Sequence, residues 1–331
     1  WVWFHVHEIT VKWGQGEINA NIPHHHRSGI SNLWSLSKWH ILYTSENRSI
    51  MFHVEQNNKD LHCDSKDYLV TGESFKVYLD ENKIIGKTIP APKKGEMFKY
   101  YDSNQYLPHS YNKKNLISIL YSMVKRQMHR KKLEWMSRHL NQNSSVLDYG
   151  CGTGDFVKYL RAKSVMAYGY DPNIKFNPDS PDYLTNNFDW VGNKYDIIFL
   201  WHVLEHTHDP FVLLQGLKKR LNKNGKIFIA IPNFKSFDSK YYRKYWAGYD
   251  LPRHLWHFSR RSICQIAEQN NFKIIKEKSL YLDAIYVSFL SEKYKLSRFP
   301  FLQGSIIGSI SIVGSFFTKQ SSSFLFVFNK P

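Results

Sequence analysis

Val146-Leu147-Asp148-Tyr149-Gly150-Cys151-Gly152-Thr153-Gly154-Asp155 decides the fold of this 331-residue chain. An apolar start closing on a carboxylate predicts a strand end, the three glycines a tight turn, and Asp155 to Ala162 a helix. Glycine there permits positive φ and lets a ligand approach the backbone without meeting a Cβ. A dinucleotide loop, G-x-G-x-x-G, needs glycine or alanine where Asp155 stands, and that carboxylate repels a pyrophosphate. The pattern D-x-G-C-G-x-G instead suits a ligand with a cationic amino group for Asp148 to meet, while the glycine turn accommodates a ribose and an amino-acid tail.

Outward from the loop, strand and helix signals alternate. Ser145 to Asp148, Val165 to Tyr170, Tyr195 to Trp201 and Gly225 to Ile231 read as strands, and Pro210 to Leu221 and residues 262–272 as helices. Lys273 to Glu277 begins a further strand, and Ser323 to Phe328 is too apolar for a free tail and reads as the last. Such alternation predicts an α/β fold, a parallel sheet covered on both faces, with ligands at the carboxyl ends of its strands. One such end is Gly169-Tyr170-Asp171, 23 residues beyond Asp148. A carboxylate there can accept hydrogen bonds from both hydroxyls of a ribose. Between Asn115 and Leu140, Leu116, Ile119, Leu120, Met123, Val124 and Met128 mark one face of a helix. Its other face carries Lys113, Lys114, Lys125, Arg126, Arg130, Lys131 and Lys132.

From roughly Lys131 to Glu277 the chain resembles the class I S-adenosylmethionine-dependent methyltransferases. Asp196-Ile197-Ile198-Phe199 matches the family's fourth-strand motif, and Trp201-His202-Val203-Leu204-Glu205-His206 looks like the H-V-L-E-H stretch of the subgroup with quinone-biosynthesis-type members. Pro232-Asn233 follows the next strand as it does there. Asp250 to Phe258, DLPRHLWHF, is similar to a block in bacterial methyltransferases that modify sugars or surface polysaccharides. The resemblance implies a Rossmann-like, doubly wound seven-stranded sheet and S-adenosyl-L-methionine as cofactor. It implies cofactor contacts at Asp148, Gly150, Cys151, Gly152, Gly154, Asp171, Trp201 and His202.

Three regions follow from composition. Residues 1–50 hold five tryptophans, a His24-His25-His26 run and no sustained period, and stay unassigned; the chain opens on Trp1, and Met51 is the candidate initiator. Residues 51–110 read as a small β-rich module, with Tyr68-Leu69-Val70 and Phe75 to Leu79 as β-type runs and Thr88-Ile89-Pro90-Ala91-Pro92 as its end. Relatives often carry a zinc ribbon ahead of such a T-x-P-x-P segment. Here Asp80 and Lys83 stand where a cysteine pair is expected and Cys63 is alone, so no structural zinc is expected. On the resemblance, residues 111–331 are the expected methyltransferase domain.

Methyl transfer is an in-line displacement on a sulfonium, so the protein mainly positions, and adds a base when the acceptor is a hydroxyl or carbon acid. His202, His206 and His254 are the candidates, His254 foremost. His202 and His206 stand at i, i+4 and can chelate zinc, but the strand before them favours the methyltransferase reading, and no metal is expected. Asp250, Arg253, His254 and His257 sit in an insertion with Tyr241, Tyr242, Tyr245, Trp246 and Tyr249, and are the expected substrate contacts: aromatic faces with polar groups hold a sugar, a quinone-like ring or a nucleobase.

Against 28 acidic residues stand 45 basic ones, a formal +17. The excess avoids the cofactor motifs: residues 141–234 net +1, whereas 111–140 net +7 and 235–261 net +5. An anionic substrate or surface near the cleft is the implied partner, with a solvated basic helix as the alternative. Cys63, Cys151 and Cys264 form no C-x-x-C pair and suit a reducing cytoplasm. No run reaches the roughly 18 apolar residues of a membrane span, Gly304 to Phe317 being broken by serines, so no transmembrane segment is expected and that stretch reads as buried or interfacial. The expected activity is methyl transfer to an oxygen or carbon of a small molecule or glycan precursor. The alternatives are an RNA methyltransferase, the basic helix tracking phosphates, and a binding protein that kept the fold and lost catalysis.

Overall fold

A computed structural model describes residues 60–101, 116–174, 181–188 and 194–331. The expectations for residues 1–50, Met51, Lys113 and Lys114 lie outside the described residues. Contacts divide the chain into Trp1–Asn47 and Arg48–Pro331, and every described residue belongs to the second unit.

In chain order, β1 (Asp60–Lys66), β2 (Ser74–Leu79) and β3 (Ile85–Ile89) come first. Then follow α1 (Leu116–Ser137), β4 (Ser145–Tyr149), α2 (Asp155–Arg161), β5 (Met166–Tyr170), β6 (Leu184–Thr185) and β7 (Tyr195–Trp201). After α3 (Pro210–Lys219) and β8 (Leu221–Pro232) come α4 (Phe237–Tyr242), β9 (Trp256–Phe258) and α5 (Arg260–Gln269). The chain closes with β10 (Lys273–Ser279), α6 (Tyr281–Tyr294), α7 (Pro300–Thr318) and β11 (Ser323–Asn329).

The main sheet has seven strands in the order β10-β11-β8-β7-β4-β5-β6. Neighbours from β8 to β6 run parallel, while β11 is antiparallel to both β8 and β10. The sequence-based expectation of a doubly wound, seven-stranded α/β sheet therefore holds. Its central strands read as continuous apolar runs because both faces are covered: Ile197, Ile198, Phe199 and Leu200 are all fully buried. One face packs on Phe156, Val157 and Leu160 of α2 with Met136 of α1, the other on Leu214 and Leu217 of α3 with Ile263 and Ile266 of α5. Asp196 joins strands at their amino ends, accepting from the Ser145 amide at 2.9 Å and from Asn222 Nδ2 at 2.8 Å.

The β-rich segment differs from its reading as a separate module. β1, β2 and β3 form an antiparallel sheet whose fourth strand is β9, paired to β3 through Ile85–Phe258 and Gly86–His257. Segments 51–110 and 111–331 thus share one sheet. The cause is visible in Thr88, fully buried, whose hydroxyl donates to the His254 carbonyl at 2.6 Å and lies 2.9 Å from His257 Nε2. Tyr68 to Val70 is a turn, not a strand. The Asp67 carboxylate accepts from the amides of Leu69, Val70 and Thr71 at 3.0, 3.2 and 2.9 Å, which holds the chain in a curl. At the next turn Asp80 Oδ1 accepts from the Ile84 and Ile85 amides, so a carboxylate organises that loop.

Two helices also depart from their sequence reading. Lys132, assigned to the solvated face of α1, is only 7% exposed, its Nζ 3.9 Å from the centre of the Trp201 ring. Of the two readings of Gly304 to Phe317, buried or interfacial, the buried one does not hold: the stretch belongs to α7, a 19-residue helix long and apolar enough by composition to cross a membrane, whose large side chains are mostly exposed.

The insertion is fastened to the small sheet by Arg253, 1% exposed. Its Nε donates to Asp250 Oδ1 at 2.9 Å, Nη1 to the Tyr100 carbonyl at 2.9 Å and Nη2 to Asp67 Oδ1 at 3.0 Å. Arg253→Ala strands Asp67 and Asp250 without their cation, and urea denaturation should show a loss of about 3–5 kcal/mol. A loss below about 1 kcal/mol would mean that the fork is not what joins these elements.

Candidate active site

The glycine loop is shaped by steric necessity. Gly150, Gly152 and Gly154 have φ of +81°, +54° and +72°, where side chains with a Cβ are strained. A Cβ at Gly150 would lie 2.4 Å from Val203 Cγ2, whereas one at Gly152 would meet nothing within 4 Å. Gly150 thus lets the chain after β7 press against the loop, and Gly152 leaves an open cradle. The Gly150 and Cys151 amides both donate to the Tyr170 carbonyl, at 2.7 and 3.0 Å, clasping the loop to the tip of β5. Cys151 is packed beneath the turn, since a Cβ on Gly169 of β5 would sit 2.7 Å from its Sγ; burial pushes its thiol well above the ordinary range.

Asp171 stands at the tip of β5. Its Oδ2 accepts from the Gly152 amide at 3.0 Å and its Oδ1 from the Asn173 amide at 2.9 Å, so the carboxylate is aimed and each oxygen keeps a lone pair for a diol. Asp148, 5% exposed at the end of β4, is pushed up to about 6 by burial, against the pull of Lys132 and with a further push from Asp171. Lys132 is correspondingly pulled down to about 8 by its burial, opposed by Asp148 and Asp283. Trp201 stacks on Trp135 with ring centres 6.3 Å apart and carries Lys132 on its face. The residues present fit an amino-acid nucleoside: an open glycine cradle, a carboxylate for a diol, and a buried carboxylate for an ammonium.

Beside the cradle the chain after β7 carries His202, Glu205 and His206. Glu205 is fully buried; burial alone would raise its pKa, but the His202 hydrogen bond and the neighbouring imidazoles hold it below the usual carboxylate value. His202 bridges two carboxylates, Nδ1 3.2 Å from Glu205 Oε1 and Nε2 3.3 Å from Asp283 Oδ2 on α6. Burial would lower it, yet the two carboxylates push it up to about 10, so it is a cation at neutral pH. His206 goes the other way: burial, then the nearby His254, pull it down to about 4.

His254 arrives from the insertion, its ring 4.5 Å from that of His206 at 80°. A carbonyl only accepts, so the bonds from His206 Nδ1 to the Arg253 carbonyl (3.0 Å) and from His254 Nδ1 to the Gly248 carbonyl (2.9 Å) require a proton on each Nδ1, which in the neutral tautomer leaves Nε2 as the acceptor. Both Nε2 atoms then carry lone pairs. His254 Nε2 lies 4.0 Å from both Glu205 Oε1 and Asp250 Oδ2. Among the described residues, ligand atoms of Glu205, His206 and His254 all lie within 4.8 Å of one another, so this trio, not the i, i+4 pair His202 and His206, is the set with the reach to hold a divalent ion.

The other expected substrate residues serve different ends. Arg253 spends its guanidinium on Asp67, Asp250 and Tyr100. His257, 3% exposed beside Thr88, is held well below its usual value by burial and His254. Of the insertion's aromatics, Tyr242, Trp246 and Tyr249 are buried and form a core with Phe75 and Val77, which leaves Tyr241 exposed and Tyr245 partly so. Three contributors escaped the sequence reading. Asp283 and Lys132 are single charges on helices whose local pattern gives no hint of them. Asp238 is fully buried and accepts from Trp246 Nε1, Ser311 Oγ and Ser322 Oγ, each at 2.7 Å, tying the insertion to α7 and to the edge of β11.

Comparison with known proteins bears on this geometry. A family model described as a methyltransferase domain matches residues 124–277. The chain is 31% identical over 106 residues to the tRNA U34 carboxymethyltransferase of Campylobacter jejuni subsp. doylei, covering 25% of this chain and 34% of that protein. The enzyme of the same name from Nautilia profundicola is 31% identical over 108 residues, covering 28% and 35%. The chain thus spans about a third of the length of the curated relatives it matches. Among solved structures, a SAM dependent methyltransferase from Archaeoglobus fulgidus aligns with a TM-score of 0.42 at 17% identity, over 65% of this chain and all of that one. With the glycine cradle, the two carboxylates and the seven-stranded sheet, the matched segment 124–277 is a methyltransferase domain of the class I, S-adenosylmethionine-dependent family.

Proposed function

We propose that this chain transfers a methyl group from S-adenosylmethionine to a hydroxyl oxygen or acidic carbon of a small molecule or glycan precursor, with His254 as general base. The observation that carries the reading is Val203 seated against Gly150, which holds the histidine cluster directly beside the cofactor cradle. When bound, the cofactor supplies an electrophilic methyl on a sulfonium. Asp148 meets its ammonium, Asp171 its ribose hydroxyls, and Gly150, Gly152 and Gly154 accommodate its approach. Trp201, with Lys132 on its face, walls the cradle.

The three histidines divide the remaining work. His202 already carries a proton and is held between Glu205 and Asp283, so it positions the turn and takes no proton from an acceptor. His206 stays neutral and packs against His254. His254 presents an Nε2 lone pair with the Glu205 and Asp250 carboxylates at 4.0 Å, where they stabilise the imidazolium formed when it accepts a proton. Asp250 in turn is kept ionised: burial would raise it, and the Arg253 charge holds it below the usual carboxylate value. The three cysteines are free thiols, which suits the cytoplasm.

A second reading, methylation of RNA, is favoured by the names of the curated relatives. Exposed Arg126 and Arg130 on α1, with the half-buried Lys131, would then contact phosphates, although Lys132 is turned inward and Lys125 pairs with Asp155. The two readings separate by salt. Affinity for tRNA that falls steeply from about 50 to 200 mM salt supports the RNA acceptor, and weak binding throughout supports the small one.

Asp148 must be ionised to meet an ammonium, and its proton leaves at about 6. Cofactor affinity measured by calorimetry should therefore fall as pH drops through that value, and Asp148→Asn should bind weakly with no such step. His254→Gln should lower kcat by roughly 10²–10⁴-fold while leaving cofactor affinity within a few-fold. Unchanged turnover in that variant would assign the base elsewhere.

A further inference from the structure

The pair α6–α7 is built with its polarity reversed. In a helix pair of a water-soluble protein, large apolar side chains face inward and small or polar ones outward. Here the buried side of α7 consists of Gly304, Gly308, Ser311 and Ser315, and that of α6 of Ala284, Ser288, Ser291 and Glu292. The backbones meet closely: a Cβ at Gly304 would lie 2.6 Å from Phe289 Cα, and one at Gly308 2.6 Å from Ile285 Cα. The outward side of α7 is Phe301, Leu302, Ile306, Ile310, Val313, Phe316 and Phe317, between 46% and 83% exposed, continued by Tyr281, Leu282 and Tyr286 of α6 and by Leu296 and Phe299 in the connection. Small residues at the helix contact with large apolar residues outside is the arrangement of helices packed within lipid.

Charge selects the kind of lipid. Residues 281–319 contain two carboxylates, and both are tied: Asp283 to His202 at 3.3 Å, and Glu292, 1% exposed, to Lys295 at 3.5 Å and to the Ser297 hydroxyl. The exposed charges are all cations. Lys293, Lys295 and Arg298 stand at the turn between the helices, and Lys319 at the far end of α7. The apolar strip is thus bracketed by positive charge, as anionic headgroups require. A membrane-crossing role does not fit, because the inner side of α7 is held by protein through Ser311 Oγ on the buried Asp238.

We propose that the outward face of α6–α7 docks flat on an anionic phospholipid bilayer, its apolar side chains in the acyl boundary and its cations at the headgroups. Asp283, in the first turn of α6, pairs with His202 and so sets the docked face one helix away from the histidine cluster.

Flotation of the full chain with vesicles tests this without reference to activity. Phosphatidylcholine vesicles containing phosphatidylglycerol should carry the protein upward, and phosphatidylcholine alone should carry much less. Replacing Ile306, Ile310 and Phe317 together by serine, all on the exposed face, should reduce partitioning at least about tenfold while circular dichroism and the thermal midpoint stay as in the parent. The pair K293E and R298E should weaken binding to anionic vesicles and leave the residual binding to neutral ones. No binding to anionic vesicles, or equal binding by the triple-serine chain, overturns the proposal. A concentration-dependent dimer that the triple-serine change abolishes, with no flotation of the parent, overturns it in favour of an interface between two copies.

Discussion

The Glu205 carboxylate organises the site. It is fully buried, and an ionised group at that depth persists only where cations and donors surround it. His202 supplies the cation, and His202 in turn needs Asp283 from α6, so one buried charge binds the turn after β7 to the C-terminal helices. His254 Nε2 approaches the same carboxylate from the insertion, and the Glu205 carbonyl accepts the Leu255 amide at 2.8 Å. Three segments distant in sequence thereby converge beside the glycine loop. Remove the charge and each loses the reason for its position.

How much of this was legible follows from how local each signal is. The loop, β4, β5 and β7 were readable because glycine conformation and continuous apolar runs depend on neighbours a few residues apart. Asp171 was readable because a fixed strand-helix-strand spacing carries it to the tip of β5. The divergent fates of His202, His206 and His254 were not readable. They depend on Asp283, on Gly248 and Arg253 carbonyls and on burial, all set by tertiary packing. Likewise β9 reads as part of a loop-like insertion, and only its pairing with β3 shows that the β-rich segment and the methyltransferase segment close one sheet.

The helix α7 gives the opposite lesson. Its serines and glycines look like interruptions of an apolar run, and the run therefore reads as short and broken. Placed on a helix, Gly304, Gly308, Ser311 and Ser315 fall at spacings of four, three and four on one side, and the interruptions become the packing surface. The formal charge of +17 also changes meaning. Part of it is internal, with Lys132 against Trp201 and Arg253 among carboxylates, while among the exposed cations Lys293, Lys295, Arg298 and Lys319 bracket the α6–α7 face and Arg126 and Arg130 lie on the outer side of α1.

Everything functional rests on the cradle between β4 and β5 being a site for S-adenosylmethionine. Calorimetric titration of the chain with S-adenosylhomocysteine, beside its Asp171→Ala variant, addresses that claim most directly. The account predicts saturable one-to-one binding to the parent and a loss of at least about tenfold in the variant, since a buried diol–carboxylate contact contributes about 1.5–3 kcal/mol. Equal affinity in the two proteins, or no binding by the parent, would contradict it.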